Sequence, residues 1–223
     1  MIKRVYTDNP TEQAAQHLIN SLEKHLEKGE KVLLLLSGGS GINIAVKISD
    51  ALKNLNLSNL YVSLMDERHG EIGHANENWQ QLLDAEFKLV GANLYRPLIN
   101  KSLKETAESF SIWLDEKIKI TDYKIALFGI GSDGHTAGIK PHSAAVNCDE
   151  SVAYFSGEDF ERFTITPKVI QKIDEAVIQA SGDDKRPTLY KLINEQIPLD
   201  DQPAQILKSV KNATLYTNNK EEK

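Results

Sequence analysis

The sequence predicts an α/β protein built on a mainly parallel, Rossmann-like sheet with helices on both faces. Apolar runs of strand length alternate along the chain with longer segments whose apolar residues recur at helical spacing. The run KVLLLL at 31–36 is apolar after its first residue, which is typical of a strand buried on both faces. Several of these runs lead into loops rich in glycine or charge. Strands that alternate with helices in this way form parallel sheets.

The first part of the chain predicts three strands and two helices. RVYT is read as a short strand, and Asn9 is expected to cap a helix that has Pro10 at its first position and runs to about Gly29. The loop SGGSG follows the strand at 31–36 and leads into a helix within 42–55. LYVSLM at 60–65 is the next strand, and it ends at DERHG.

The remaining chain continues the alternation. We expect a helix from near Asn76 and another from about Leu103 to Ile118, then a core strand in YKIALFGI. SVAYF, EAVIQAS and ATLYT are predicted as later strands, and DDKRPTLYKLI as a helix with Pro187 in its first turn. The helix near Asn76 is expected to bury Trp79, Leu82, Leu83 and Phe87.

Composition bounds the class of protein. The 223 residues, 40% of them hydrophobic, suit a single domain spanning 1–223. A net charge of −6 argues against a nucleic-acid or membrane-surface partner. A small anionic ligand is still compatible with this net charge, provided that the binding site concentrates positive side chains. The single cysteine, Cys148, suits a reducing compartment, and neither a signal peptide nor a membrane span is recognisable. We therefore expect a cytoplasmic protein that is a monomer or a small homo-oligomer.

The loop after the first core strand contains Ser37, Gly38, Gly39, Ser40 and Gly41. In open parallel sheets, ligands bind beyond the carboxyl ends of the strands. Glycines let the backbone approach an anion, and the following helix offers free N–H groups and a favourable dipole. The loop is neither a Walker loop nor a complete GxGxxG fingerprint, so a tight turn that needs glycine is the alternative reading.

The charged segment Asp66-Glu67-Arg68 directly follows another strand. Arg68 could clamp a phosphate or polarise a carbonyl oxygen, and Asp66 could orient a base or a water molecule. An ordinary charged surface loop is the alternative. The nearby His69 and His74 lack the spacing of metal ligands.

The third loop, GIGSDGHTA, contains Gly131, Asp133, Gly134 and His135 after a core strand. A histidine can act as general base near neutral pH, and glycine N–H groups can stabilise an oxyanion. This setting favours a catalytic His135 over a structural one, and Thr136 with the next residue is expected to begin a helical turn.

Basic residues follow in two further segments. Arg162 lies in ERFTIT, and Lys185 and Arg186 open a helix, where an anion would meet side-chain charge and the helix dipole. A solvated basic pair that offsets the neighbouring aspartates is the alternative for the last two. No GxSxG elbow supports a serine nucleophile, and no motif supports a metal.

Together and in this order, the segments resemble the 6-phosphogluconolactonase family over nearly the whole chain. The matching segments are SGGS at 37–40, DER at 66–68 with Asn78, GIGSDGHTAGIKP at 129–141, RFTIT at 162–166, GDDK at 182–185, and Pro203-Ala204. The resemblance implies a fold related to glucosamine-6-phosphate deaminase and ribose-5-phosphate isomerase. It also implies hydrolysis of 6-phospho-D-glucono-1,5-lactone to 6-phosphogluconate, in the pentose phosphate pathway, without a metal or an organic cofactor.

The resemblance also implies roles for residues. His135 would be the general base that activates water, with Asp66 and Arg68 in the same active site. The implied substrate-binding residues are Ser37, Gly38, Gly39, Ser40, Asn78, Gly131, Asp133, Gly134, Arg162 and Lys185.

The chain departs from the family pattern at several positions. Gly41-Ile42 replaces Thr-Pro, Glu77 replaces a serine, and Gly138 and Lys140 replace serine and phenylalanine. Two other functions stay open. A glucosamine-6-phosphate deaminase would usually have Asp-Glu-Tyr and DGHIAFNEP in place of the DER and DGHTAGIKP found here. A non-catalytic sugar-phosphate sensor would keep the pocket and lose the acid and base residues.

Overall fold

The structure is a computed structural model, and it describes residues 1–157 and 159–220. Its strands are β1 (Lys3–Tyr6), β2 (Val32–Leu36), β3 (Leu60–Leu64), β4 (Asp66–Arg68), β5 (Asn93–Leu94), β6 (Tyr123–Gly129), β7 (Val152–Ser156), β8 (Glu161–Ile165), β9 (Glu175–Gln179) and β10 (Asn212–Thr217). Its α-helices are α1 (Pro10–Glu27), α2 (Gly41–Leu52), α3 (Asn78–Asp84), α4 (Leu103–Ile120), α5 (Pro167–Ile170) and α6 (Arg186–Asn194). Two 3₁₀ helices span Asp183–Lys185 and Pro203–Ser209.

The central sheet has seven strands in the order β1-β10-β9-β6-β2-β3-β5, and every pair is parallel. Side chains of β2 alternate between its two faces: Val32, Leu34 and Leu36 pack with apolar residues of α1 and α2. Leu33 and Leu35 pack on the other face with residues of α4 and α6. The predicted parallel sheet covered by helices on both faces is thus confirmed.

A second, three-stranded sheet in the order β4-β8-β7 is antiparallel and was not predicted. The DER segment, expected to be a loop, is β4, and β8 includes most of ERFTIT, for which no strand was expected. SVAYF forms a strand as predicted, but it pairs in this small sheet. Strands this short and polar are decided by their pairing partners more than by local propensity.

Two local predictions are wrong. Thr136 does not begin a helix: it forms an antiparallel bridge with Ile139, and Ala137 between them has a φ of 49°. The second concerns helix α3, which begins at Asn78. Its Leu83 was expected to be buried but is 43% exposed, and Phe87 is buried as expected but lies beyond the end of the helix. An apolar residue near a short helix is placed by the contacts around it, which periodicity alone does not encode.

The topology of the sheet brings together the loops that contain the predicted site residues. Strands β9, β6, β2 and β3 are consecutive neighbours in the sheet, so the loops that follow them leave from the same edge. Strand β4 continues from β3 at this edge, and the N–H of Ile165 on β8 donates to the carbonyl of Met65 at the junction (2.9 Å). Within the described residues, no helix has both the length and the apolar character that crossing a bilayer requires.

Candidate active site

A cleft of about 520 Å³ opens at the carboxyl edge of the central sheet. Loops after β2, β6 and β9 line it together with β4, β8 and the start of α3. Of the site residues predicted from the sequence, all but Gly134 line this cleft: Ser37, Gly38, Gly39, Ser40, Asp66, Arg68, Asn78, Gly131, Asp133, His135, Arg162 and Lys185. Six separate segments are therefore brought together around one cleft.

Gly134 shapes the loop and lies outside the residues that line the cleft. Its φ is 86°, its N–H donates to the carbonyl of Gly131, and its carbonyl accepts from the N–H of Ala204, both at 3.0 Å. A side chain here would be strained by the backbone and would crowd Gln202, whose Cγ would lie 2.8 Å from a Cβ. The hydrogen bond from Ala204 also joins the Pro203-Ala204 segment to the loop that carries His135.

His135 is held by Asp133 through two hydrogen bonds. The ring Nδ1 lies 2.6 Å from Asp133 Oδ1, and the backbone N–H of His135 donates to the same oxygen at 3.1 Å. Because a carboxylate only accepts, Nδ1 carries the proton and Nε2 keeps its lone pair. The side chain of His135 is 36% exposed, so this basic nitrogen is accessible.

The charge of Asp133 is stabilised by its neighbours. Burial raises the pKa of this carboxyl, but the hydrogen bonds and the charge of His135, together with Lys140, outweigh burial and hold the pKa below its ordinary value. Asp133 therefore stays ionised at neutral pH and is the direct hydrogen-bond partner of the imidazole. The sequence predicts Asp66 as the residue that orients a base or a water molecule, whereas in the structure His135 donates its hydrogen bonds to Asp133.

Two glycines make room for functional side chains. A Cβ on Gly131 would lie 2.2 Å from Nδ1 of His135, and a Cβ on Gly38 would lie 2.1 Å from Oδ1 of Asn78. Real Cβ atoms do not come this close to other heavy atoms, so any side chain at either position would displace the imidazole or the amide. The glycines of these loops are thus needed for close packing of the site as well as for its turns.

Arg68 is positioned by Asn78 and by the loop before it. Its Nη1 donates to Asn78 Oδ1 and to the carbonyl of Asn76, both at 3.0 Å, while Asn78 Nδ2 donates to the carbonyl of Asp66 at 3.1 Å. Nε of Arg68 is buried and has no hydrogen-bond partner among the described residues. Burial raises the pKa of the Asp66 carboxyl, against the opposing charges of Arg68, His135 and Arg162.

Arg162 lies directly opposite Arg68 in the β4–β8 ladder. Its Nη2 donates to Asp159 Oδ1 at 2.5 Å, and its Nε is also buried without a partner in the described part of the chain. Both guanidinium carbons lie about 6 Å from the ring centre of Phe160. Like charges directly opposite one another destabilise a sheet, so this pair favours an anion between or beside the two arginines.

Lys185 and Arg186 are neighbours in the sequence but line different cavities. Lys185 ends the short 3₁₀ helix before α6 and lines the cleft. Arg186 donates to Asp183 Oδ1 at 2.8 Å and lines a different groove, so the two neighbours have separate surroundings.

Two residues of this region were missed as contributors by sequence reasoning. Lys140 lines the cleft, with Nζ 3.7 Å from Asp133 Oδ2, at a position where the family resemblance led us to expect phenylalanine. Glu67 is fully buried and accepts backbone N–H groups of Arg68, Asn78 and Trp79 at 2.7–2.9 Å. Burial raises the pKa of Glu67 to about 8, against the effect of these three donors. Its place in the DER segment was the only signal in the sequence.

No group of histidine, cysteine, aspartate and glutamate side chains in the described residues has the arrangement of a metal site. The cleft instead combines a carboxylate-held imidazole, several cations and glycine-rich backbone. Such a set can activate water, hold an anion and stabilise a developing oxyanion.

The sequence and the structure were compared with known proteins. A 6-phosphogluconolactonase of Helicobacter pylori is 26% identical over 213 residues, which cover 92% of this chain and 89% of that protein. A glucosamine-6-phosphate deaminase of Staphylococcus epidermidis is 29% identical over 132 residues, or 53% of each protein. The solved 6-phosphogluconolactonase of Thermotoga maritima has a TM-score of 0.80 at 19% identity, with 97% of this chain and 98% of that chain covered, and therefore has the same fold.

The model of one family covers almost the full sequence. The family is described as "Glucosamine-6-phosphate isomerases/6-phosphogluconolactonase", and its model matches residues 7–216. From this match, the chain belongs to the family of glucosamine-6-phosphate isomerases and 6-phosphogluconolactonases.

Proposed function

We propose that this protein hydrolyses 6-phospho-D-glucono-1,5-lactone to 6-phosphogluconate, a reaction of the oxidative pentose phosphate pathway. The observation that carries the proposal is the arrangement of His135 in the cleft: Asp133 holds Nδ1 at 2.6 Å, and Nε2 is left as a base. Arg68 and Arg162, each with a buried and unpartnered Nε among the described residues, line the same cleft. The curated relative from Helicobacter pylori carries the same activity in its name.

The reaction needs one base and a positioned water molecule, because a lactone is an activated ester. Water attacks C1 of the lactone while Nε2 of His135 accepts its proton, and the loop N–H groups stabilise the tetrahedral oxyanion. The intermediate collapses, the bond from C1 to the ring oxygen breaks, and the proton on His135 passes to that oxygen. Between these two proton transfers, Asp133 stabilises the imidazolium form of His135. Asp66 orients the attacking water molecule.

The phosphate of the substrate is anchored at a distance from the reacting carbon. The proposed contacts are Arg68, Arg162, Lys185 and the Ser37–Ser40 loop, in which Gly38 and Gly39 give the phosphate close access to the backbone. Asn78 supports Arg68, and Gly131 leaves space for the imidazole. Anchoring of this kind holds C1 at the base and contributes to the rate by positioning.

The rival activity is deamination or isomerisation of glucosamine 6-phosphate, which the relative from Staphylococcus epidermidis supports. Arg68 stands where deaminases usually have tyrosine, and DGHTAGIKP differs from their DGHIAFNEP. Both differences favour the lactonase. A non-catalytic sensor is disfavoured because His135, Asp133 and Arg68 all line the cleft and Asp133 holds the imidazole as a base.

The first experiment follows the lifetime of the lactone. The lactone is generated in situ from glucose 6-phosphate, and its disappearance is measured with wild type, His135→Ala and buffer alone. We expect wild type to accelerate hydrolysis strongly and His135→Ala to lose at least about 100-fold of that rate, the scale of general-base catalysis.

A matched control is available in His142, whose side chain is 70% exposed and does not line the cleft. His142→Ala should keep the wild-type rate. A folded wild type that matches buffer would refute the lactonase proposal, and ammonia release from glucosamine 6-phosphate would then be measured.

We further propose that the chain works as one domain, because β1 near its beginning pairs in parallel with β10 near its end. The proposed reaction takes place in the cytoplasm and needs only a small sugar-phosphate lactone as partner. It requires neither a cofactor nor nucleic acid nor a membrane, and a monomer or a small homo-oligomer is sufficient for it.

A further inference from the structure

Outside the cleft, Arg96 forms an ion pair with the buried side chain of Glu77. Arg96 Nε donates to Glu77 Oε1 and Arg96 Nη2 to Glu77 Oε2, both at 2.6 Å. The N–H of Gly73 donates to the same carboxylate at 2.6 Å. The side chain of Glu77 is fully buried, whereas that of Arg96 is 26% exposed. A guanidinium that meets a carboxylate through two parallel hydrogen bonds restrains its orientation as well as neutralising its charge.

This ion pair is adjacent in the chain to a residue of the proposed site. Glu77 immediately precedes Asn78, the first residue of α3. Arg96 also donates from Nη2 to Gln80 Oε1 at 3.0 Å, so it contacts residues on both sides of Asn78. The backbone of Asn78 is thereby held from outside the cleft by a side chain that lies 18 residues further along the sequence.

The restraint continues from Asn78 to the cleft. Asn78 Oδ1 accepts from Arg68 Nη1 at 3.0 Å, and Arg68 Nη1 also donates to the carbonyl of Asn76. Both acceptors of Arg68 thus lie within two residues of Glu77 in the sequence. If Glu77 moved toward water, the acceptors that aim the guanidinium would move with it.

Glu77 stands where the resemblance led us to expect serine, and a buried carboxylate requires a partner. Without Arg96 its charge would be left unpaired in the interior, and relaxation toward solvent would relieve that cost. The loop from Gly73 to Glu77 would be the segment that moves, since the Gly73 N–H is tied to the same oxygen as Arg96 Nη2.

We propose that Arg96, acting through Glu77, is a positioning residue that keeps Asn78 and hence Arg68 aimed at the bound substrate. The inference rests on the proposed function, because it takes Arg68 as a contact of the sugar-phosphate lactone. It predicts an effect on substrate binding from two residues that do not line the cleft.

The first test is the kinetics of Arg96→Gln. Its KM for the lactone should rise about tenfold, the size expected from losing a hydrogen bond to a charged group, while kcat changes less than threefold. Glu77→Gln is the milder variant: it keeps the side-chain shape and leaves no buried charge, and its KM should rise in the same direction by a smaller factor. Lys104→Gln, which breaks the exposed Lys104–Glu108 pair, is the control and should match wild type.

A double-mutant cycle separates positioning from general loss of stability. In an Asn78→Ala background, Arg96→Gln should raise KM by a smaller factor than it does in wild type, because of the two Arg68 acceptors only the Asn76 carbonyl still depends on the ion pair. Effects that multiply in the double variant would overturn the proposal. So would folded Arg96→Gln and Glu77→Gln proteins whose melting temperature is lowered but whose KM is unchanged.

A binding measurement distinguishes this inference from the proposed activity. Inorganic phosphate is titrated calorimetrically into wild type and Arg96→Gln, and the variant should bind about tenfold more weakly by the same hydrogen-bond argument. If wild type binds phosphate but does not hydrolyse the lactone, the proposed function fails while the positioning role stands. Equal phosphate affinity of the two proteins would overturn the positioning role whatever the activity.

Discussion

At the scale of single residues, the contact on which the proposed chemistry depends is that between His135 and Asp133. Both the ring and the backbone N–H of His135 donate to one oxygen of Asp133, whose other oxygen lies 3.7 Å from Nζ of Lys140. The hydrogen bonds select the tautomer with a basic Nε2, and together with the charges of His135 and Lys140 they hold the pKa of Asp133 below its ordinary value against the effect of burial. Loop geometry alone would leave the tautomer undefined.

Replacing the carboxylate of Asp133 tests whether it keeps the imidazole proton of His135 on Nδ1. Asp133→Asn can present its amide N–H to Nδ1, which would place the imidazole proton on Nε2 and remove the base. We expect kcat to fall by about 100-fold or more with little change in KM. Asp201→Asn is the matched control, since Asp201 lies 3.6 Å from the exposed His142. An Asp133→Asn enzyme with near wild-type kcat would show that Asp133 does not orient the base.

At the scale of elements, helix α3 depends on a carboxyl group from another element. The side chain of its N-cap residue, Glu77, makes no capping hydrogen bond to the helix. Instead, the backbone N–H groups of Asn78 and Trp79 donate to the side chain of Glu67 on β4. The same carboxyl group accepts the N–H of Arg68. One buried side chain therefore joins β4 to the start of α3 and sets the spacing of the DER segment and Asn78.

Removing that side chain should loosen the junction. Glu67→Ala leaves three buried backbone donors without an acceptor, and we expect the free energy of unfolding to fall by about 3 kcal/mol. Chemical denaturation of wild type, Glu67→Ala and the exposed-site control Glu71→Ala measures this difference. A loss below about 1 kcal/mol would mean that water or a shifted backbone satisfies the three donors.

At the scale of the whole molecule, the two ends of the central sheet carry different polar networks. The carboxyl edge holds the cleft, where Arg68, Lys140, Arg162 and Lys185 face three aspartates in a protein of net charge −6. The opposite edge holds Glu175, the first residue of β9, which contacts His17 at 2.8 Å, Tyr123 at 3.2 Å and Ser21. His17 in turn contacts the hydroxyl of Tyr216 at 2.9 Å. The first network serves the proposed binding of an anion, and the second joins α1 to the sheet.

The network at the opposite edge should affect stability without affecting catalysis. Burial raises the pKa of Glu175, but hydrogen bonds and charge from His17, Ser21 and Tyr123 outweigh burial, so the pKa is lower in the folded state than in the unfolded chain. Stabilisation from this group is therefore present above the ordinary glutamate pKa of about 4.3 and is lost as the pH falls through the lower folded value.

Glu175→Gln tests this prediction. At neutral pH we expect it to lower the free energy of unfolding by about 2 kcal/mol with kcat/KM unchanged, and the difference from wild type should shrink below about pH 4. Denaturation curves across this pH range provide the measurement. A difference that is independent of pH would show that the charge of Glu175 contributes nothing.

The class of fold and the positions of the main loops could be predicted from the sequence alone. Apolar runs such as that of β2 are local signals of double-sided burial, and the glycines and charges that follow them mark strand ends. The order of strands brings those ends together, so most of the predicted site residues line one cleft. That part of the site could be predicted because it depends only on which segments follow parallel strands.

Contacts between segments that are distant in the chain could not be predicted in this way and depend on the folded structure. It places Arg162 opposite Arg68 in a small antiparallel sheet, makes Asp133 the partner of His135, and pairs Glu77 with Arg96. The physical reason is that short polar strands and buried charges take their geometry from their partners, and periodicity within one segment carries no information about the register or identity of a partner.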